Sequence, residues 1–140
     1  MITARLCSKQ STDKAYDDAL KLLLRRISSD LKKDPKGVPL VGAYFGTHNK
    51  ESCDLVKDRL VAEGLGEEDE VTGRVKLLDG VAGRVCTGQL YGMSDELTER
   101  VAATYERSGT PMASKYLPYG ALREVSRYGL SGTVAYLARR

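Results

Sequence analysis

Three short apolar runs, Val38 to Phe45, Arg84 to Leu90 and Met112 to Leu117, alternate with stretches of helical periodicity. That alternation constrains the fold more than any other feature of the chain. Parallel strands cannot be joined by a tight turn; they need a crossover of a dozen or more residues, usually a helix. The order helix, strand, helix, strand, helix, strand, helix therefore predicts parallel βαβ units and an α/β fold.

The local signals agree. Thr12 can cap a first helix with Asp13 in its first turn, and Tyr16, Leu20, Leu23, Ile27 and Leu31 recur at helical spacing. Lys32-Lys33 and then Asp34-Pro35-Lys36-Gly37 stop that helix. The following run, from Val38, reads as a buried strand, with Pro39 near its start because proline cannot donate a ladder bond. Asn49 can cap a second helix whose buried stripe is Cys53, Val56 and Leu60, ending at Gly64. Between Gly64 and Gly83, Asp79-Gly80 between two apolar segments predicts a small surface hairpin. Ser94 can cap a third helix, with Leu97, Val101 and Tyr105 on one face and Gly109-Thr110-Pro111 at its end. Gly120 to Tyr128 begins a fourth. Residues 1–140 read as one structural unit.

Composition narrows the class. With 140 residues the chain can bury one modest core, whereas a complete eight-fold α/β barrel needs roughly 250. No run of about 18 apolar residues is present to form a membrane-spanning helix. The charge is +3, from 22 basic and 19 acidic residues, too balanced to argue for nucleic acid as a partner. Cys7, Cys53 and Cys86 are odd in number and scattered, against a disulfide framework or a zinc site. The opening Met1 to Cys7 lacks the pattern of a targeting segment.

In such a fold, ligand groups gather where strands end and helices begin. Thr47-His48-Asn49, Gln89 to Met93 and Tyr116 to Gly120 fall at those joints. His48, the sole histidine, reads either as a loop residue satisfied by backbone or as a donor to a ligand at a helix N-terminus. Gln89 lies in an otherwise small and apolar strand, so its amide must find partners: a bridge to a neighbouring strand or a ligand. Tyr116 suits a pocket for a small apolar ring, and Tyr119 reads as packing. Arg139-Arg140 reads as a solvated tail by spacing alone, or as a bidentate clamp on a carboxylate if it faces a pocket.

Taken together, Gly42-Ala43-Tyr44-Phe45-Gly46-Thr47-His48-Asn49, Gln89-Leu90-Tyr91-Gly92-Met93-Ser94-Asp95 and Lys115-Tyr116-Leu117-Pro118-Tyr119-Gly120 resemble the sixth, seventh and eighth strand motifs of proline dehydrogenases, particularly the fungal mitochondrial type. Lys9 to Tyr16 is similar to that family's helix after its fifth strand. The resemblance implies the last part of a (βα)8 TIM-type barrel. It implies FAD as cofactor, L-proline as substrate, hydride transfer to the flavin to give 1-pyrroline-5-carboxylate, and a quinone as electron acceptor. Residue by residue, it implies that Thr47 and His48 contact FAD, that Gln89 lies beside the site, that Tyr116 packs on the proline ring, and that Arg139 and Arg140 hold its carboxylate. It further implies the matrix side of the mitochondrial inner membrane, with peripheral association of the full-length enzyme.

Two departures from the family pattern set expectations. The barrel's front strands, including an Arg-Gly-Ala-Tyr strand that helps hold flavin, have no counterpart here, so the chain is expected to be truncated and inactive by itself. Gly129 to Tyr136 looks like an eight-residue insertion before Leu137-Ala138-Arg139-Arg140. If helical, it would advance the arginines by about 12 Å. The alternative reading is a non-catalytic small α/β binding or interaction module on the same scaffold.

Overall fold

A computed structural model describes residues 8–106 and 112–116. The order is α1 (Lys9–Lys33), β1 (Ala43–Gly46), α2 (Lys50–Ala62), β2 (Gly66–Glu68), β3 (Val75–Leu77), β4 (Val85–Leu90), α3 (Asp95–Thr104) and β5 (Ala113–Tyr116). The expected fourth helix, from Gly120, lies outside the described residues, as does the insertion at 129–136.

Strands β1, β4 and β5 form a parallel sheet in that spatial order. Each parallel connection runs through a helix, α2 and then α3, as the alternation predicts. The chain is thus a mixed α/β structure built on a parallel sheet.

Strand β1 alternates buried and exposed residues. Ala43 and Phe45 join Val85 in the core, together with Leu20, Leu24 and Ile27 of α1 and Val56 and Leu60 of α2. Ile27, Val56 and Leu60 are fully buried, and such burial stabilises by about 1.5–3 kcal/mol per side chain. The opposite sheet face carries Tyr44, which stays half exposed at 54%.

Helix α1 starts earlier than its spacing suggests. Ser8, not Thr12, is the cap: its hydroxyl accepts from the Ser11 amide, and the Ser11 hydroxyl accepts from the Ser8 amide. This reciprocal pair satisfies two amide donors at once. Thr12 instead donates back to the Ser8 carbonyl. Leu24, not Leu23, belongs to the buried stripe; Leu23 is 36% exposed. In a run of three leucines, period alone leaves the phase ambiguous, and packing against α2 and β1 decides it.

Three further boundaries differ. The first strand begins at Ala43 rather than Val38, since Val38 and Leu40 are exposed in the preceding loop. The hairpin exists, but its turn spans Asp69 to Arg74 and not Asp79-Gly80. There the Asp69 carboxylate accepts from the Val71 and Thr72 amides, a side-chain device that competes well with a two-residue turn. Helix α3 ends at Thr104, because Tyr105 turns extended and forms a bridge with Val75 of the hairpin.

Candidate functional site

The carboxyl ends of β1 and β4 are tied together at the residues that the sequence singled out. The Thr47 amide donates to the Gly88 carbonyl at 3.1 Å. The Gln89 Nε2 donates to the Thr47 carbonyl at 3.2 Å. The Leu90 amide donates to His48 Nε2 at 2.9 Å. A ring that accepts at Nε2 carries its proton, in the neutral form, on Nδ1. Three bonds therefore fix the Thr47-His48 turn against the end of β4.

The turn leads directly into α2. Asn49 caps that helix as expected, with its side chain accepting from the Glu51 amide, and the Thr47 hydroxyl accepts from the Asn49 amide. Local side-chain capping thus sets the direction in which His48 leaves the strand.

Gln89 is fully buried, and its amide is used at both ends. While Nε2 holds Thr47, Oε1 accepts from the Thr98 hydroxyl on α3 at 2.8 Å. The side chain is thus a bridge from the β1 exit to α3, not only to a neighbouring strand. Thr98 is a partner that sequence reasoning did not mark, because a threonine inside an amphipathic helix carries no signal of its own. Ser94 sits at the cap position of α3 with a left-handed backbone, φ 51°, and makes no side-chain cap bond, so the expected capping role is not fulfilled. Asp95 and Glu96 still supply negative charge to the first turn.

Between the first turns of α2 and α3 opens a cleft of about 270 Å³ lined by His48, Lys50, Ser94, Glu96, Leu97 and Arg100. Arg100 forms an ion pair with Asp54 of α2, which closes one side. A larger cleft, about 590 Å³, lies at the opposite, amino end of the strands, between the ends of α1 and α2. None of the candidate residues lines it.

Tyr116 ends β5 and registers with Leu90, the residue whose amide meets His48. Arg139 and Arg140 lie outside the described residues, as does Tyr119. The structure thus brings Thr47, His48 and Gln89 together and places Tyr116 on the adjoining strand.

A planar cofactor needs a floor without projecting side chains. Gly46 and Gly88 are in register at the ends of β1 and β4, on the sheet face away from the helices. Gly46 carries no side chain and the Tyr44 phenol lies over Gly88, so a low, partly aromatic surface adjoins the His48 turn, and the residues present fit the ring of a flavin.

The family model for proline dehydrogenase matches residues 6–140. The chain belongs to the proline dehydrogenase family. It is 29% identical over 133 residues to a carbapenem antibiotics biosynthesis protein of Pectobacterium carotovorum, covering 95% of this chain and 24% of that one. It is 29% identical over 119 residues to proline dehydrogenase 1, mitochondrial, of Dictyostelium discoideum, covering 85% of this chain and 16% of that one. With the hydroxyproline dehydrogenase of Rattus norvegicus the identity is 31% over 119 residues, 85% of this chain and 20% of that one. The chain thus spans a quarter or less of the length of these relatives. No solved structure matches it.

Proposed function

We propose that this chain supplies the last three strands of a proline dehydrogenase barrel that oxidises L-proline with FAD. The observation that carries the reading is the bonded cluster of Thr47, His48 and Gln89 at the carboxyl ends of adjacent parallel strands, in a chain of this family. When bound, FAD would accept the hydride from the proline ring carbon and pass electrons on to a quinone.

The chain's own residues would bind and orient. Thr47 and His48 would contact the cofactor, and the cleft beside Lys50 would receive its phosphates near the first turn of α2. Gln89 would act beneath that turn by holding it in place, since its amide already serves Thr47 and Thr98. Tyr116 would pack against the proline ring, and Arg139 with Arg140 would bind its carboxylate. The part-barrel architecture follows from the same reading: the open sheet face would line the barrel interior, covered by strands from the rest of a barrel. A mitochondrial setting is suggested by the names of two relatives, from Dictyostelium and from Drosophila melanogaster; association with the inner membrane rests on the family resemblance alone.

The test is a chimera in which this chain replaces the matching segment of the Dictyostelium relative. Bound flavin should bleach when L-proline is added without oxygen. A chimera that folds and holds FAD but stays oxidised in L-proline would overturn the dehydrogenase reading and favour a binding module.

A further inference from the structure

Tyr44 is the one large side chain of β1 that stands on the open sheet face, and it does not stand straight up. Its hydroxyl meets Ser114 Oγ on β5 at 2.9 Å, two strands away. To get there it crosses β4 over Gly88, where any Cβ would collide with the phenol. Ser114 Oγ also donates to the Thr87 carbonyl at 3.2 Å. With its single proton so committed, Ser114 accepts from Tyr44. The ring is thus laid across the sheet and anchored, yet it remains half exposed.

The position of this ledge is specific. Tyr44 registers with Cys86, one step below the paired glycines Gly46 and Gly88, and those glycines adjoin the His48 turn. Because the phenol covers Gly88, the surface beside the His48 turn consists of this fixed ring and the bare Gly46, and such a ring can receive a flat ligand by stacking or edge contact. A tyrosine serving the core would turn to the other face, where Phe45 is buried.

We infer that Tyr44, anchored by Ser114 across Gly88, is a positioning residue that contacts the flavin ring at this floor. The inference rests on the FAD reading above. It assigns a role to a residue outside the Thr47, His48 and Gln89 cluster.

The test titrates FAD into the 140-residue chain and into its variants, following affinity and the emission of bound flavin. A photoexcited flavin takes an electron from a phenol in contact and returns it, so emission is quenched with no net change; phenylalanine does not donate in this way. Tyr44→Phe should therefore restore emission severalfold while retaining most of the affinity. Tyr44→Ala should weaken binding roughly three- to tenfold, the range that one aromatic contact is worth. His48→Ala should weaken binding while the remaining bound flavin stays quenched. Circular dichroism checks folding, and Tyr44→Phe, which keeps the ring, decides alone if Tyr44→Ala does not fold. Unchanged affinity and emission in both Tyr44 variants, with binding lost in His48→Ala, overturns the Tyr44 assignment and leaves the flavin reading standing. If the wild-type chain takes up no FAD, the same titration is made with the chimera described above; binding indifferent to Tyr44 and His48 alike, in whichever of the two takes up FAD, overturns both.

Discussion

Replacing Gln89 with leucine should destabilise the chain by about 2 kcal/mol through two lost bonds, not through packing. The two side chains are close in volume, and the site is fully buried. The bonds to the Thr47 carbonyl and the Thr98 hydroxyl are worth about 1 kcal/mol each, and a buried group left without its partner costs about 1–3 kcal/mol. Thr98 has an alternative, since its hydroxyl also reaches the Ser94 carbonyl at 3.2 Å. The Thr47 carbonyl loses its amide, while apolar burial of leucine offsets part of the loss. Urea unfolding reads the result: with a slope of about 1–3 kcal/mol per molar, the midpoint should fall by about 1 M. Gln89→Glu should fall similarly, because a carboxylate cannot donate to Thr47. A midpoint within about 0.2 M of wild type for both variants would refute the claim that this amide holds the β1 exit to α3.

Further predictions concern the core, the hairpin and the open face. Leu24→Ala should cost about 2–5 kcal/mol in urea unfolding, whereas Leu23→Ala on the same turn should cost less than about 1 kcal/mol; equal losses would contradict the helix phase. Tyr105 is buried with no hydrogen-bond partner for its hydroxyl among the described residues, and burial pushes its phenol well up, so Tyr105→Phe should be neutral or stabilise by about 1 kcal/mol in the same assay. Asp69 is held below the ordinary carboxylate value of 3.8 by the Thr72 and Val71 amides. Its folded value is depressed, so its contribution to the turn is present above that range and is lost as pH falls below it. Protection of the Val71 and Thr72 amides, measured relative to their intrinsic exchange rates, should fall as pH drops below the ordinary carboxylate range in wild type, and unchanged protection there would contradict the assignment. Gly88→Ala should swing Tyr44 off the sheet and break its bond to Ser114, which tyrosine side-chain shifts in NMR would report.

Much of the architecture was legible because periodicity is a direct physical signal. Cys53, Val56 and Leu60 lie on the buried face of α2, Asn49 caps it, and strands separated by helices run parallel. The misread boundaries have two causes. Local side-chain devices outweighed the signals at Thr12 and Asp79-Gly80, since Ser11 completes a cap at Ser8 and the Asp69 side chain builds its own turn, whereas a tertiary partner, Val75, draws Tyr105 out of its helix. Within the site, a strand end and a helix cap together mark Thr47 and His48. By contrast, Thr98 and Ser114 were invisible, since their roles depend on which strands and helices become neighbours. Period two could have separated Tyr44 from Phe45, but only the register across β4 and β5 gives Tyr44 its partner.

The most direct test of the flavin site is an amide NMR titration of the isotope-labelled 140-residue chain with FAD. Weak, rapidly exchanging binding should shift the amides of Thr47, His48 and Leu90 first, with smaller changes at Lys50, and leave the cleft around Leu31 and Leu78 unmoved. Binding that leaves the His48 turn unmoved, or shifts centred on the opposite end of the strands, would contradict it.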